Sequence, residues 1–234
     1  MQQTSQLYKT LLASLIHFTE LKVEIGGRVY REDVLSTVDV KAALFSGDEP
    51  TVGTCVSREL SMRMLRPADK FSGLEKMSVF VRLSDGEQQS EWLPHGVYFI
   101  DTMDEDAEED GVIWLNIHGF DSILFTEQEY PASSNLSWPA RDTDVLREMA
   151  AAVGIEIDRR TLDTMASGYL LEYPGEYTVR EVLGYIAAMY GGTFTTSEDG
   201  KLLLVCFWDI PKDTSYLVTN EGYPITFGGV RILV

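Results

Sequence analysis

Cysteine, histidine and basic side chains are all scarce in this chain of 234 residues: two Cys, three His, and nineteen Lys plus Arg against thirty-seven Asp plus Glu. Each shortage removes a class of function. Cys55 and Cys206 stand far apart without metal-type pairing, and Cys206 lies in the apolar run LLLVCFW, where a thiol is usually an inert packing group. Two reduced thiols and a reducing compartment are expected. The net charge of −18 argues against a nucleic-acid clamp, because phosphate contacts need a basic surface. It suits high solubility, or a lumen past which a polyanion slides without sticking. The apolar stretches stay under ten residues, against the ~20 needed to cross a bilayer, so no membrane insertion is expected.

The opening segment MQQTSQLYKTLLASLIHFTE has neither a basic cluster nor a small-x-small cleavage site, so it does not read as a secretory signal. Leu7, Leu11, Leu12 and Leu15 fall on one helical face instead, which predicts an amphipathic helix. TELKVEIGGRVY then alternates around Gly26-Gly27, the pattern of two short strands and a tight turn. LSTVDVKAALF reads as a further strand, and GTCVSRELSMRML as one alternating from Cys55 or Val56 to Met64. MSVFVRLSDGEQQSEWLPHGVYFIDTM gives two more with Asp85-Gly86 as the turn between them, and GVIWLNIHGF pairs with the second across the acidic run 104–110, read as a connector.

From Pro131 the composition shifts to PASSNLSWPARDTD, a linker or domain edge. Asp142 or Thr143 can cap a helix that Gly154 ends, IEID is a short strand, and Thr178 with Glu181 forms a capping box for VREVLGYIAAMYGG. The following hairpin turns at Asp199-Gly200, and ITFGGVRILV is a last strand candidate. The expectation is an α+β, mainly β chain. Residues 1–132 form a barrel-like β domain with an N-terminal helix, 133–210 a small helix-strand-helix-hairpin domain, and 211–234 a strand returning to the first domain, since a lone strand cannot stand by itself.

Seven of the ten residues 101–110 are acidic, with His95 and His118 close by in sequence. An EF-hand frame beginning at Asp104 supplies Asp106 and Glu108 but puts Glu109 where glycine is required, so a solvated connector is preferred to a calcium loop. Neither histidine lies in a spaced ligand motif, and His17 sits on or beside the first helix. No G-x-S-x-G elbow, phosphate loop or activated cysteine occurs, and the pairs 26-27, 191-192 and 228-229 are turn or helix-ending glycines. Trp92, Trp114, Trp138 and Trp208 read as core or interface before they read as a sugar groove. No catalytic, cofactor-binding or metal residue is therefore assigned.

The succession VGTCVSRELSMRML, WLPHGVYFID, VIWLNIHGFDSILFTEQEYP, YTVREVLGYIAAMYGGTFTTSEDGKLLLV and ITFGGVRILV resembles the baseplate hub or tail-tip proteins of phages and prophages from Gram-positive bacteria, over about Thr19 to Val234. The resemblance implies tail-tube-like β-barrels closing side by side into a ring, trimeric in this family, with a small α+β domain inserted or attached. It implies a non-enzymatic subunit of the virion tail, made in the host cytoplasm without a signal peptide. It names as partners other copies of the chain, a distal tail protein, the tape-measure protein and a tip or fibre protein, with DNA only in transit. No cofactor is implied. Many relatives continue with a second barrel, whereas this chain stops after GGVRILV, and it carries no recognisable peptidase or muramidase segment. Two rival readings remain: a metal-assisted hydrolase or tail-associated peptidase using His95, His118 and Asp101 or Asp121, and a carbohydrate-binding module using exposed Trp and Tyr.

Overall fold

A computed structural model describes residues 4–207 except 46, 48, 69, 109, 110 and 132, together with the backbone of 226–227 and 230–231. In chain order the first half comprises α1 (Gln6–Ala13), β1 (Phe18–Ile25), β2 (Arg28–Arg31), β3 (Leu35–Lys41), β4 (Thr54–Cys55), β5 (Glu59–Leu65), β6 (Lys76–Ser84), β7 (Leu93–Ala107) and β8 (Ile113–Phe120). A 3₁₀ turn over Ser122–Glu127 leads to β9 (Ala140–Arg141), α2 (Asp142–Val153), α3 (Arg159–Thr164), β10 (Leu170–Leu171), α4 (Val179–Met189), β11 (Gly192–Thr196) and β12 (Leu202–Cys206). β13 (Thr226–Phe227) and β14 (Val230–Arg231) pair with each other within ITFGGVRILV. The rest of 208–234, and with it Trp208 and the expected return of the last strand, lies outside the described residues.

The helices form where local chemistry favours them. Ser5 caps α1 by accepting the Tyr8 amide, and the Thr178–Glu181 capping box of α4 is complete in both directions. Gly154 ends α2 in the left-handed conformation at φ 72°, as its position in the sequence predicts. Asp142 is not the cap of α2: Arg141 holds that place, and Asp142 is the first helical residue, fully buried and accepting the Tyr190 hydroxyl at 2.6 Å. IEID gives only an isolated bridge, Ile157 to Leu202, because Asp158 turns the chain to cap α3 by accepting the Arg160 amide.

Seven strands form one antiparallel sheet in the order β2-β1-β6-β7-β8-β5-β3. The two outermost strands, β2 and β3, are consecutive in the chain and only three residues apart. Four residues of extended chain reach at most ~14 Å, so a flat sheet is impossible and this one curls until its edges nearly meet. A tight turn, with the Val34 amide donating to the Arg31 carbonyl at 3.0 Å, makes the corner. The Leu65 amide of β5 fastens it by donating to the Val34 carbonyl at 2.8 Å. Alternation then separates inside from outside. Val23 and Ile25, Leu60, Met62 and Met64, Met77 and Val79, Tyr98 and Ile100, and Leu115 and Ile117 converge in one buried cluster on the concave side.

A second cluster unites α2, α4, β11 and β12 around Leu146, Met149, Leu183, Ile186 and Phe194. Into it comes a piece of the first half. The strand expected over 55–64 is broken at 56–58: Thr54 and Cys55 pair in parallel with Thr193 and Phe194 of β11, while Glu59–Leu65 joins the curled sheet. Gly53 makes that approach possible. It sits at φ +77°, and a Cβ there would stand 2.9 Å from the Ala188 Cβ on α4.

Between the two clusters lies Asp121, whose side chain is completely buried. Its carboxylate accepts the Ser57 hydroxyl at 2.7 Å, the Arg58 amide at 2.9 Å, the Ile123 amide at 3.1 Å and the Thr196 hydroxyl at 2.6 Å. The curled sheet, the break after β4 and the β11 strand thus share one acceptor. Asp121→Ala strands two hydroxyls and two amides in a buried space and is expected to cost about 3 kcal/mol or more. Urea denaturation checks this; a loss of under about 1 kcal/mol, the value of one ordinary hydrogen bond, contradicts it.

Candidate functional site

The stretch 92–123 is the first place to look for chemistry, and the structure redraws it. The acidic run 104–110 is not a connector along its length. β7 continues through Asp104, Glu105, Asp106 and Ala107, which face Asn116, Leu115, Trp114 and Ile113 of β8. The turn itself is shorter, with the Glu108 amide donating to the Val112 carbonyl at 2.9 Å and the Gly111 amide to the Glu108 carbonyl at 3.0 Å. Carboxylates tolerate a strand here because two cations on or just after β5, across β8, pair with three of them. Arg63 meets Asp106 at 3.2 Å and Glu108 at 2.8 Å, and Arg66 meets Glu105 at 3.0 Å. The Arg63 guanidinium also covers the Trp114 ring at 4.9 Å.

The histidines do not meet. His118 faces Thr102 across the β7–β8 ladder, and His95 lies seven residues further back along β7, on the order of 20 Å away at ~3.3 Å per residue. A shared metal or acid–base site built on both is therefore ruled out. His118 borders a shallow depression of 290 Å³ on the convex face with Asp39, Ser61, Thr102 and Asp104. Among the described residues, no three His, Cys, Asp or Glu side chains group closely enough to hold a metal ion. His17 is local, with Nδ1 3.1 Å from the Ser14 carbonyl. Asp101 is exposed at the bulge between Ile100 and Thr102, and Asp121 is spent on the buried bonds described above.

His95 has an environment of its own. Burial is the main influence holding its imidazole below the ordinary value, the Arg58 charge adds to this, and Glu198 opposes it. Beneath it the Tyr98 ring is fully buried, and burial pushes its phenol up to about 12. Cys55 is likewise pushed up to about 12, chiefly by burial, which leaves an unreactive thiol.

Trp92, Trp114 and Trp138 are half-buried and separately engaged. Trp92 has the Arg82 guanidinium at 4.4 Å and the Lys22 ammonium at 5.2 Å from its ring. Trp138 packs edge-on to Tyr173 at 5.4 Å and Tyr130 at 6.2 Å. They lie on different elements and form no common platform. The tyrosines of YLLEYPGEY, residues 169–177, are all exposed, and their recurrence at every fourth residue is the available signal in the sequence.

The unfolded chain protonates His95 more readily than the folded chain does. His95 therefore supports stability in full above pH ~6.5, and that support is withdrawn as pH falls from there through the lower folded value. Replacing it by Asn should flatten the fall in the urea midpoint between neutral pH and pH ~5.5 relative to the parent protein. Identical slopes in the two proteins contradict this.

No protein-family model and no curated protein matches the chain. Its fold does match solved structures. The 43 kDa tail protein of prophage MuSo2 from Shewanella oneidensis superposes with a TM-score of 0.56 at 12% identity, over 85% of this chain and 59% of that one. The tail protein from Neisseria meningitidis MC58 superposes with a TM-score of 0.51 at 19% identity, over 80% of this chain and 50% of that one. The chain thus spans between half and three-fifths of the length of these two proteins, and what it shares with them is the fold.

Proposed function

We propose that this protein is a structural, non-enzymatic subunit of a phage or prophage tail, of the baseplate hub or tail-tip class. The observation that carries the reading is the fold likeness to two tail proteins over four-fifths or more of the chain. The ordered series of phrases that resembles the hub family of Gram-positive phages points the same way from sequence. In this reading the curled sheet is a tail-tube-like barrel, copies associate into a ring, trimeric in the family, and the ring joins the tail tube to the tip. Residues 211–234 return a strand to the first domain. The distal tail protein, the tape-measure protein and a tip or fibre protein are its neighbours, and DNA crosses the lumen only in transit.

Surface chemistry supports association. Among the described residues β2 and β3 each have one strand neighbour and so stand at the two ends of the sheet order. Leu12, Leu15, Ile16 and Phe18 follow one another on the surface, with Leu15 fully exposed. The histidine separation removes the shared-site hydrolase as a rival, and Trp92, Trp114 and Trp138 lie on separate elements, the first two under cations and the third against tyrosines, so they give a sugar groove no common platform.

Antibody labelling of tail particles from the strain encoding the chain tests the proposal. Gold is expected at one end of the tail in electron micrographs, with the protein retained in purified particles. A protein that stays in the soluble lysate while tails assemble without it overturns the reading.

A further inference from the structure

Two sets of ring contacts, Tyr130–Trp138–Tyr173 and Tyr177–Tyr185, are joined by a backbone hydrogen bond into an aromatic ribbon in the second half of the chain. Its floor is Tyr130, buried, with its hydroxyl donated to Glu148. Tyr173 stands edge-on to Tyr130 at 5.9 Å and to Trp138 at 5.4 Å. The Tyr130 amide donates to the Tyr177 carbonyl at 2.8 Å, so Tyr177 lies alongside, and its ring meets Tyr185 of α4 at 5.3 Å. Tyr173, Tyr177 and Tyr185 are 42%, 47% and 53% exposed, and Leu170 extends the strip at 67%. Interfaces are enriched in such residues because a tyrosine gives a large contact for the loss of few rotamers.

Charge says what covers it. Glu172 and Glu176 are exposed and alternate with Tyr173 and Tyr177, and neither makes an ion pair among the described residues. The adjacent cation, Arg180, is already engaged by Glu127. At Arg63 and Arg66 the neighbouring carboxylates are paired locally, whereas here carboxylates and exposed ring faces lie side by side and, among the described residues, no ion pair or cation–ring contact engages them. A guanidinium satisfies both at once, lying over a tyrosine ring while its forked donors meet a carboxylate.

We infer that the Tyr173–Tyr177–Tyr185 strip with Glu172 and Glu176 is a docking surface for an arginine-bearing segment of a partner protein. The inference stands apart from the tail reading: the titration below involves no tail, and neither failure implies the other.

The test uses the full chain and a fluorescein-labelled peptide of alternating Arg and Pro, followed by anisotropy at physiological salt. Saturable binding is expected, weakened about tenfold or more by Tyr185→Ala and by Glu172→Gln with Glu176→Gln. Tyr185 is the aromatic to change first, since it is exposed on α4 and its loss leaves the Tyr130–Trp138–Tyr173 packing intact. Glu32→Gln with Asp33→Asn, the same change of charge at the distant β2–β3 corner, should alter affinity by less than about twofold. A lysine-for-arginine peptide should bind more weakly. Equal losses from both double variants, or no saturable binding, overturn the proposal. So does binding of chito-oligosaccharide, but not of the peptide, that Tyr185→Ala abolishes, and so does self-association in light scattering that Tyr185→Ala reverses.

Discussion

The carboxylate of Asp121 is the point on which the rest of the architecture hangs. A fully buried charge is tolerated only when its lone pairs are filled, and here two hydroxyls and two amides fill them. Those donors come from three separate regions: Ser57 and Arg58 between β4 and β5, Ile123 at the start of the 3₁₀ turn, and Thr196 in β11. Satisfying one group therefore fixes where β8 ends, where the chain leaves β4, and how the β11 strand meets the curled sheet. Gly53 against Ala188 serves the same junction from the other side by letting β4 lie close under α4.

That dependence explains what could be read from sequence. Features set within a few residues were legible: the Gly26-Gly27 turn, the Gly154 terminus, the Thr178–Glu181 capping box, and the turn at Asp199-Gly200, where Gly200 has φ 81°. Features set by distant partners were not. Thr54 and Cys55 look like the start of β5, because alternation continues through them, and only their pairing with Thr193 and Phe194, some 139 positions away, takes them elsewhere. Asp142 carries the chemistry of a cap, but a buried Tyr190 hydroxyl claims it. Asp158, read within a strand, has the side chain and the following Arg160 to begin a helix.

The candidate sites divide along the same line. That His95 and His118 lie on paired strands was legible; their distance was not, because it follows from the register that sets His118 against Thr102. The every-fourth-residue spacing of the tyrosines in 169–177 was legible, but not their exposure, since an aromatic residue near a strand is ordinarily core. Their exposure follows from β10 being only two residues long and pairing at the margin with β9, which leaves the following loop to run over Tyr130 instead of beneath it.

The acidic run shows how secondary structure alters an electrostatic argument. As a loose connector, DEDAEED could aim all its charge one way, into a lumen or out to solvent. As a strand through Ala107 it cannot, because successive side chains take opposite faces. Asp106 goes with Arg63 and Trp114 on the convex side, while Glu105 turns toward Arg66 and the cleft lined by Phe71, Met103 and Leu115. Two arginines then answer three of the carboxylates locally. Such exposed pairs add at most about 1 kcal/mol each to stability, yet they remove much of the field that the run would project. The field this protein projects then comes chiefly from its net charge of −18 as a whole, and 101–108 is a strand end in which three carboxylates are paired.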